Sequence, residues 1–562
     1  MTYTRRGVIL PVVLLVLVLL GLLGAMFSFR VNADLASTQA MAYRLQTRLA
    51  AEAGIDRAKL LLRESRYDID RWYHNPDELH RIITWTPDGS RSVWGTNDEL
   101  EEDSMAYRFS IVADDPTDDE NHIIRLGISD EASKLNLNTA TEAQLMILVT
   151  AAVDGDQEIV PKDIVDAILD WRDQDRKPNG EKKDTEGEYY KTLPKPYRVK
   201  NGPFDTVEEL LLVKGVTGQI LYGEDWDRNG LLTPNEDDGA DTFPLDNENG
   251  ELNRGLYPYL TVHSSEENVS NANRPRVYLL GPDEPLRAEL EDAFPDDPQI
   301  VDFIVSATRG RGAAEGAAGQ GGNSNTGNGG APGAGEAQNG VPGIGSEDNE
   351  EIGTLEGGLD GSDESDEGNE MAGTNTDQEQ ESDNAQDELA PIRSPASLLS
   401  DNAISVEVGK NPLTAEHLPI LLNRTTTLAP DQPSPRGLIN INTAPRLVLR
   451  CIADLTEDQV EAILETRERL SSEMKETTAW LLTEEVVDLA TFELVAPVIT
   501  ARGQQFTIES LGYGDHVGMV TRLQVVVDLV GPIAQTIYYR DLTYLGGHYP
   551  IREEDLERVR AR

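Results

Sequence analysis

Between Arg6 and Arg30 the chain runs through residues 8–29, VILPVVLLVLVLLGLLGAMFSF, without a single charged side chain. At about 1.5 Å rise per residue a helix of that length spans roughly 30 Å, the thickness of a bilayer's hydrocarbon core. Backbone polar groups find no water there, so one such segment can cross only as a helix. The run exceeds a typical secretory h-region, and no polar cleavage region separates it from Arg30, which argues against an ordinary signal peptide. Arg5 and Arg6 put the N-terminus on the cytoplasmic side and the bulk of the chain across the membrane.

Past the apolar run, Leu35, Ala36, Met41, Ala42, Leu45, Leu49, Ala53, Leu60 and Leu61 recur at near-helical spacing with polar residues between them. This predicts one continuous helix over residues 8–63. A basic leader ending in glycine, an apolar half-helix and an amphipathic half-helix together resemble the N-terminus of type IV pilins and pseudopilins. The resemblance implies that a prepilin peptidase cuts between Gly7 and Val8 and that the new N-terminus is methylated. The fifth mature residue, commonly Glu in that family, is Val12 here, and Pro11 falls in the first helical turn, where no internal N–H bond is lost.

The 562 residues carry 100 Asp plus Glu against 49 Lys plus Arg, a formal charge of −51, which repels polyanions and favours solubility of the exported part. The one cysteine, Cys451, allows neither an intrachain disulfide nor a Cys-based zinc cluster, and its neighbours Leu449 and Ile452 point to a buried structural thiol.

Two segments repeat a distinctive string, KLNLNTA at 134–140 and LININTA at 438–444, each followed by a helical stretch, IVDAILDWR at 164–172 and QVEAILETR at 459–467. Asn138 and Asn442 are expected to cap the following helices. The first copy continues through Asn201-Gly202-Pro203-Phe204 into TVEELLLVKGV, which looks like a paired helix-hairpin-helix unit, a module also used by membrane-anchored DNA-binding competence proteins. The phosphate-gripping glycine pair is incomplete, with Thr217 after Gly215-Val216, and residues 134–221 hold 12 basic against 16 acidic side chains. A phosphate binder needs the opposite balance, so a structural use of the hairpins and no nucleic-acid partner is the expectation. Asp170-Trp171-Arg172-Asp173-Gln174-Asp175, Tyr189-Tyr190, Pro196-Tyr197-Arg198 and Asn201-Gly202-Pro203 follow in an order that resembles the K-type minor pseudopilins of type II secretion systems. That resemblance covers residues 1–300 and 395–545.

Residues 225–236 match an EF-hand loop position by position. Asp225, Asp227 and Asn229 supply side-chain oxygens at positions 1, 3 and 5, Gly230 permits the turn, Leu231 offers its carbonyl and Glu236 closes the loop at position 12. Ca²⁺ is therefore the expected cofactor. Over residues 245–256 a second loop has Asn247, Asn249, Gly250 and Asn253 but Leu245 at its first position and Leu256 at its last, with Asp246 or Glu248 as contributors at most. Asp173, Asp175, Glu186 and Glu188 form a weaker candidate, in the region where the resemblance implies calcium ligands, although Lys177, Lys182 and Lys183 can neutralise them.

Residues 312–392 contain no Lys, Arg, His or aromatic side chain and cannot bury enough apolar surface to fold, so a disordered linker is expected over 308–395. AYRFSIVAD and HIIRLGIS near 106–129, then QQFTIESLGYG, MVTRLQVVVDLVG and AQTIYYRDLTYL after 503, alternate like strands. The expected fold is α+β: a leader (1–7), a transmembrane helix (8–29), a pilin-like helix and first strands (30–130), a helical insertion of helix-hairpin-helix-like (SAM-like) modules with the calcium loop (131–307), the linker, a second helical module (396–502), returning strands (503–546) and a charged tail (547–562). No nucleophile elbow, phosphate loop or metal-binding His pair appears, so no catalytic residue is expected. The resemblance implies an assembly subunit at a pseudopilus tip, with partners among the other minor pseudopilins, the major pseudopilin, the inner-membrane assembly platform and the prepilin peptidase.

Overall fold

A computed structural model describes residues 9–85, 105–114, 124–153, 159–174, 177, 179, 187–239, 241–246, 249–309, 391–400, 410–531, 533–546 and 549. Helix α1 (Ile9–Ser65) is continuous over 57 residues, as the hydropathy pattern predicts. Its apolar first part is wholly exposed, and it is long and apolar enough to cross a membrane. Burial begins at Thr47 and continues through Ala50, Ala51, Ile55, Ala58, Leu61 and Leu62. These positions recur with each helical turn, singly or as the adjacent pairs 50/51 and 61/62, so they form one stripe.

Two short helices, α2 (Ile69–Trp72) and α3 (Pro76–Leu79), turn the chain into β1 (Ile82–Trp85), β2 (Tyr107–Val112) and β3 (Ser129–Asp130). The stretch HIIRLGIS does not form the expected strand, and His122 and Ile123 lie outside the described residues. Arg125 makes one bridge with Ala113, and the sheet takes only Ser129 and Asp130. The rest is tied to the end of α2. Asn75 donates to the Leu126 carbonyl and Ile128 to that of Trp72, while a Cβ on Gly127 would stand 1.8 Å from the Tyr73 carbonyl oxygen.

The chain then leaves the sheet at Asp130 for a helical insertion. Its first module opens on β4 (Leu135–Asn136), passes α4 (Glu142–Ala152), α5 (Pro161–Arg172), α6 (Glu188–Thr192) and α7 (Gly218–Tyr222), and closes on β5 (Leu260–Thr261). The next segment runs from β6 (Val277–Tyr278) through α8 (Asp283–Ala293), α9 (Pro298–Thr308) and α10 (Leu418–Arg424) to β7 (Thr425–Thr426). The last opens on β8 (Ile439–Asn440), passes α11 (Arg446–Leu449), α12 (Glu457–Arg469), α13 (Trp480–Thr483) and α14 (Leu489–Val495), and closes on β9 (Ile499–Thr500).

The repeat of LNLNTA and INTA is therefore not a duplication alone, because a third unit of the same design lies between the two legible copies. In each, the opening and closing strands pair in parallel: Leu135 with Leu260, Val277 with Thr425, and Ile439 with Ile499. Two residues later Leu137, Leu279 and Ile441 donate to the carbonyls of Thr261, Thr426 and Thr500. Those same three threonines accept, through their hydroxyls, the N–H groups of His263, Leu428 and Arg502. The middle copy escapes sequence comparison because Tyr278 stands where Asn136 and Asn440 make a tight turn, and because residues 310–390 separate its halves.

Asn138 and Asn442 are not helix caps, contrary to expectation. Thr141 caps α4 through a capping box with Gln144, and Pro445 precedes α11. Asn138 instead binds the backbone N–H and carbonyl of Phe204, and Asn442 donates to the carbonyls of Lys475 and Ala501 and accepts from the indole of Trp480. Asn138 and Asn442 thus close long loops, and their cores in between are apolar. Cys451 is buried there as expected, and burial pushes its thiol up to about 12.

The chain returns through β10 (Gln505–Gly514), β11 (Val517–Asp528) and β12 (Gln535–Asp541), and all six sheet strands are antiparallel in the order β1-β2-β10-β11-β12, with β3 also on β10. Because β3 and β2 both flank β10, the insertion leaves and re-enters at adjacent strands. One core lies between α1 and the sheet, built on Ala51, Ile55, Leu61, Phe109, Ile508 and Leu523, and a separate core fills the insertion.

Candidate metal centre

Helix α7 stops at Gly223, whose φ of +62° and contact with the Asn253 carbonyl leave no room for a side chain. The acidic loop begins two residues later. Within it Arg228 (φ +57°) and Gly230 (φ +72°) take left-handed conformations, which fold the backbone inward. Asn229 N donates to Asp225 Oδ1 and Asp227 Oδ1 at 2.9 and 3.0 Å, Gly230 N to Asp225 Oδ2 at 3.1 Å, and Leu231 N to Asn229 Oδ1 at 2.7 Å. Glu236 Oε2 accepts from the N–H and hydroxyl of Thr233.

These turns aim Asp225, Asp227 and Glu236 at one point, each offering an oxygen within 4.8 Å of the others'. Among the described residues they form the one group of three or more acidic, His or Cys side chains gathered this closely. Asp225, Asn229, Leu231 and Glu236 are buried. Burial raises the Asp225 carboxyl well above the usual carboxylate range, and the neighbouring charges of Asp114, Asp227 and Glu236 push the same way against Arg254. Burial likewise raises Glu236. Converging, desolvated carboxylates of this kind repel one another, and a divalent cation is the kind of group that would offset that repulsion. The donor set, all oxygen, fits a hard cation. Among the described residues no helix directly follows residues 225–236, so the second helix of an EF-hand is not seen there.

Of the weaker group, Asp175 and Glu186 lie outside the described residues. Asp173 ends α5 and accepts from the Asn179 side chain, and Glu188 begins α6 facing solvent. Asp246 turns onto the backbone N–H groups of Asp238 and Gly239, and Glu248 lies outside the described residues. Gly7 and Val8 also lie outside them. The aromatic signature is structural: Trp171 and Tyr190 meet edge to face at 5.6 Å, Tyr197 joins them at 5.3 Å from Tyr190, and Asn201 adopts φ +46° where Gly202 N bonds the Trp171 carbonyl.

Three residues that hold the loop escaped the sequence reading. Arg522 of β11 donates to the carbonyls of Asp227 and Arg228, and Arg254 donates to the Gly230 carbonyl and to Asp114, just past β2. Arg522, the one cation within β11, is the signal that sequence offered.

Residues 131–222 match the family model described as type II secretion system (T2SS), protein K. No curated protein matches the chain. Among solved structures, a chain of the GspK-GspI-GspJ complex from the enterotoxigenic Escherichia coli type 2 secretion system is similar at 10% identity and a TM-score of 0.37, over 90% of this chain and 98% of that one.

Proposed function

We infer that this chain, which carries the protein K domain of type II secretion systems at residues 131–222, acts as a minor pseudopilin in such a system. The observation that carries the reading is the domain's setting. It forms the first part of an insertion in an antiparallel sheet that packs on the amphipathic half of a 57-residue helix whose other half is apolar and bare. A subunit so built is a structural component and not an enzyme. It is anchored by α1 in the inner membrane with residues 1–7 cytoplasmic, is processed after Gly7, and assembles with other minor pseudopilins at the tip of the pseudopilus. No DNA-binding role is needed for the helical modules.

Two features support the tip. Val12 offers no carboxylate for the N-terminal amine of a subunit ahead, so burying it against that amine would leave a charge unpaired. The insertion also stands on strands adjacent in the sheet, and so broad a domain would collide with copies of itself in a continuous shaft. Ca²⁺ is held by Asp225, Asp227, Asn229, the Leu231 carbonyl and Glu236, with Asp173, Asp175, Glu186 and Glu188 as a second and weaker set. A bound cation neutralises the converged carboxylates and so stiffens the loop. Subunit stoichiometry in purified pseudopili tests the placement: one or a few copies per filament are expected, and amounts comparable to the major subunit along the shaft would overturn it.

A further inference from the structure

We propose that Arg522 and Arg254 are positioning residues for the cation loop, and that loading the loop locks the helical insertion onto the sheet; this rests on the calcium reading above. The argument starts from the peptide plane. In a trans peptide the carbonyl and the following N–H point in opposite directions. A carbonyl pinned outward therefore aims the next N–H inward.

At the Arg228–Asn229 peptide, Arg522 Nη2 takes the Arg228 carbonyl, and Asn229 N–H faces the Asp225 and Asp227 carboxylates. The Gly230–Leu231 peptide repeats the arrangement: Arg254 Nη2 takes the Gly230 carbonyl at 3.2 Å, and Leu231 N–H donates to Asn229 Oδ1. Arg522 also takes the Asp227 carbonyl at 2.7 Å through Nη1. Two guanidinium groups thus occupy three outward carbonyls of the loop, and the ligand side chains are oriented by what remains inside.

Neither arginine is anchored in the loop itself. Arg522 belongs to β11, is 2 % exposed, and pairs through Nε with Glu509 of β10. Glu509 is in turn held by Gln524 Nε2 and the Tyr549 hydroxyl. Arg254 belongs to the insertion but reaches Asp114, at the end of β2, at 2.9 Å. Gly230 presses against that same Asp114, where a Cβ would stand 2.6 Å from Oδ1. Strands β2, β10 and β11 are neighbours in the sheet. The loop's geometry and the seating of the insertion are consequently one arrangement, and a cation that favours the first favours the second by the same factor.

The test uses the full chain in detergent, titrated with CaCl₂ by calorimetry and followed by hydrogen exchange. Arg522→Lys keeps the charge beside Glu509 but cannot fork to two carbonyls, and is expected to weaken Ca²⁺ binding about tenfold or more, the usual cost of losing an outer-shell partner. Arg254→Lys, which leaves the Arg522–Glu509 pair intact, is expected to do the same and serves if the first variant folds poorly. In the wild-type chain Ca²⁺ should slow exchange in β10 and β11 as well as in residues 225–236, and in either variant, saturated with Ca²⁺, the slowing should be confined to the loop. Wild-type affinity in both variants, or protection confined to the loop in the wild-type chain, would overturn the clamp alone. Binding heat that persists after Asp225→Ala with Glu236→Ala, or no heat in the wild-type chain, would overturn the calcium reading and the clamp with it.

Discussion

Gly512 lies in β10 where α1 crosses the sheet, and Gly512→Ala is expected to lift the helix. A Cβ at this position would stand 2.0 Å from the Thr47 carbonyl oxygen and 2.4 Å from Ala51 N, both backbone atoms of α1. Ordinary contact needs about 3.5 Å, so the helix must retreat by roughly 1.5 Å, because the one side-chain atom nearby, Ala51 Cβ at 2.9 Å, is fixed to the backbone and cannot turn aside. Retreat separates Ala51, Ile55 and Ala58 from Phe109, Ile111 and Ile508, and breaks the 2.7 Å bond between the hydroxyls of Thr47 and Thr521. A gap of about 1 Å forfeits up to half of each dispersion contact, which puts the cost at about 3 kcal/mol, the upper end for an overpacked core. The full chain in detergent, melted while followed by near-ultraviolet circular dichroism, should lose about 5–10 °C. Gly518→Ala is the control, since nothing lies within 4 Å of its Cβ. If Gly512→Ala melts within a degree of the wild-type chain while Gly518→Ala behaves as expected, the docking of α1 on this strand is wrong.

Two further outcomes follow from the insertion. Asp130 joins the sheet to the last module by accepting from the Asn440 side chain at 2.6 Å and the Thr443 hydroxyl at 3.1 Å, and burial raises its carboxyl from 3.8 to about 6. A raised folded-state value means stability fully present below about 4 and lost as pH rises through 6, worth about 3 kcal/mol in all. The stability advantage of the wild-type chain over Asp130→Asn should therefore grow as melts are taken from pH 7 down to 4, and a pH-independent difference would refute the assignment. Trp480 is 1 % exposed and donates to Asn442 Oδ1 at 3.1 Å, so Trp480→Ala should cost about 3–5 kcal/mol by chemical denaturation, and a loss below 1 kcal/mol would contradict its place in the core.

Much of the architecture was legible because it is written in periodicity. The apolar run and the stripe of Ala51, Ile55, Ala58 and Leu62 specify α1 to within two residues at either end, and alternation specifies β2, β10, β11 and β12. Local sequence could not show what depends on distant partners. Ile124, Leu126 and Ile128 alternate like a strand, yet the contact of Gly127 with Tyr73 takes the segment elsewhere. Asn138 and Asn442 have the chemistry of caps, but Phe204 and Trp480 claim them from far along the chain. The middle helical unit was invisible because its parallel pairing, Val277 with Thr425, joins residues well over a hundred positions apart with no shared motif. The convergence of Asp225, Asp227 and Glu236 was readable since they follow one another within 225–236, whereas Arg522 comes from β11 and Asp114 from just past β2.

The claim that this chain is a pseudopilin is tested most directly at its N-terminus. Intact-mass or Edman analysis of the protein purified from cells with an active prepilin peptidase should find Val8 as the first residue, and cells lacking the peptidase should retain Met1–Gly7. An uncleaved chain in both strains would contradict the account, leaving α1 as a simple anchor.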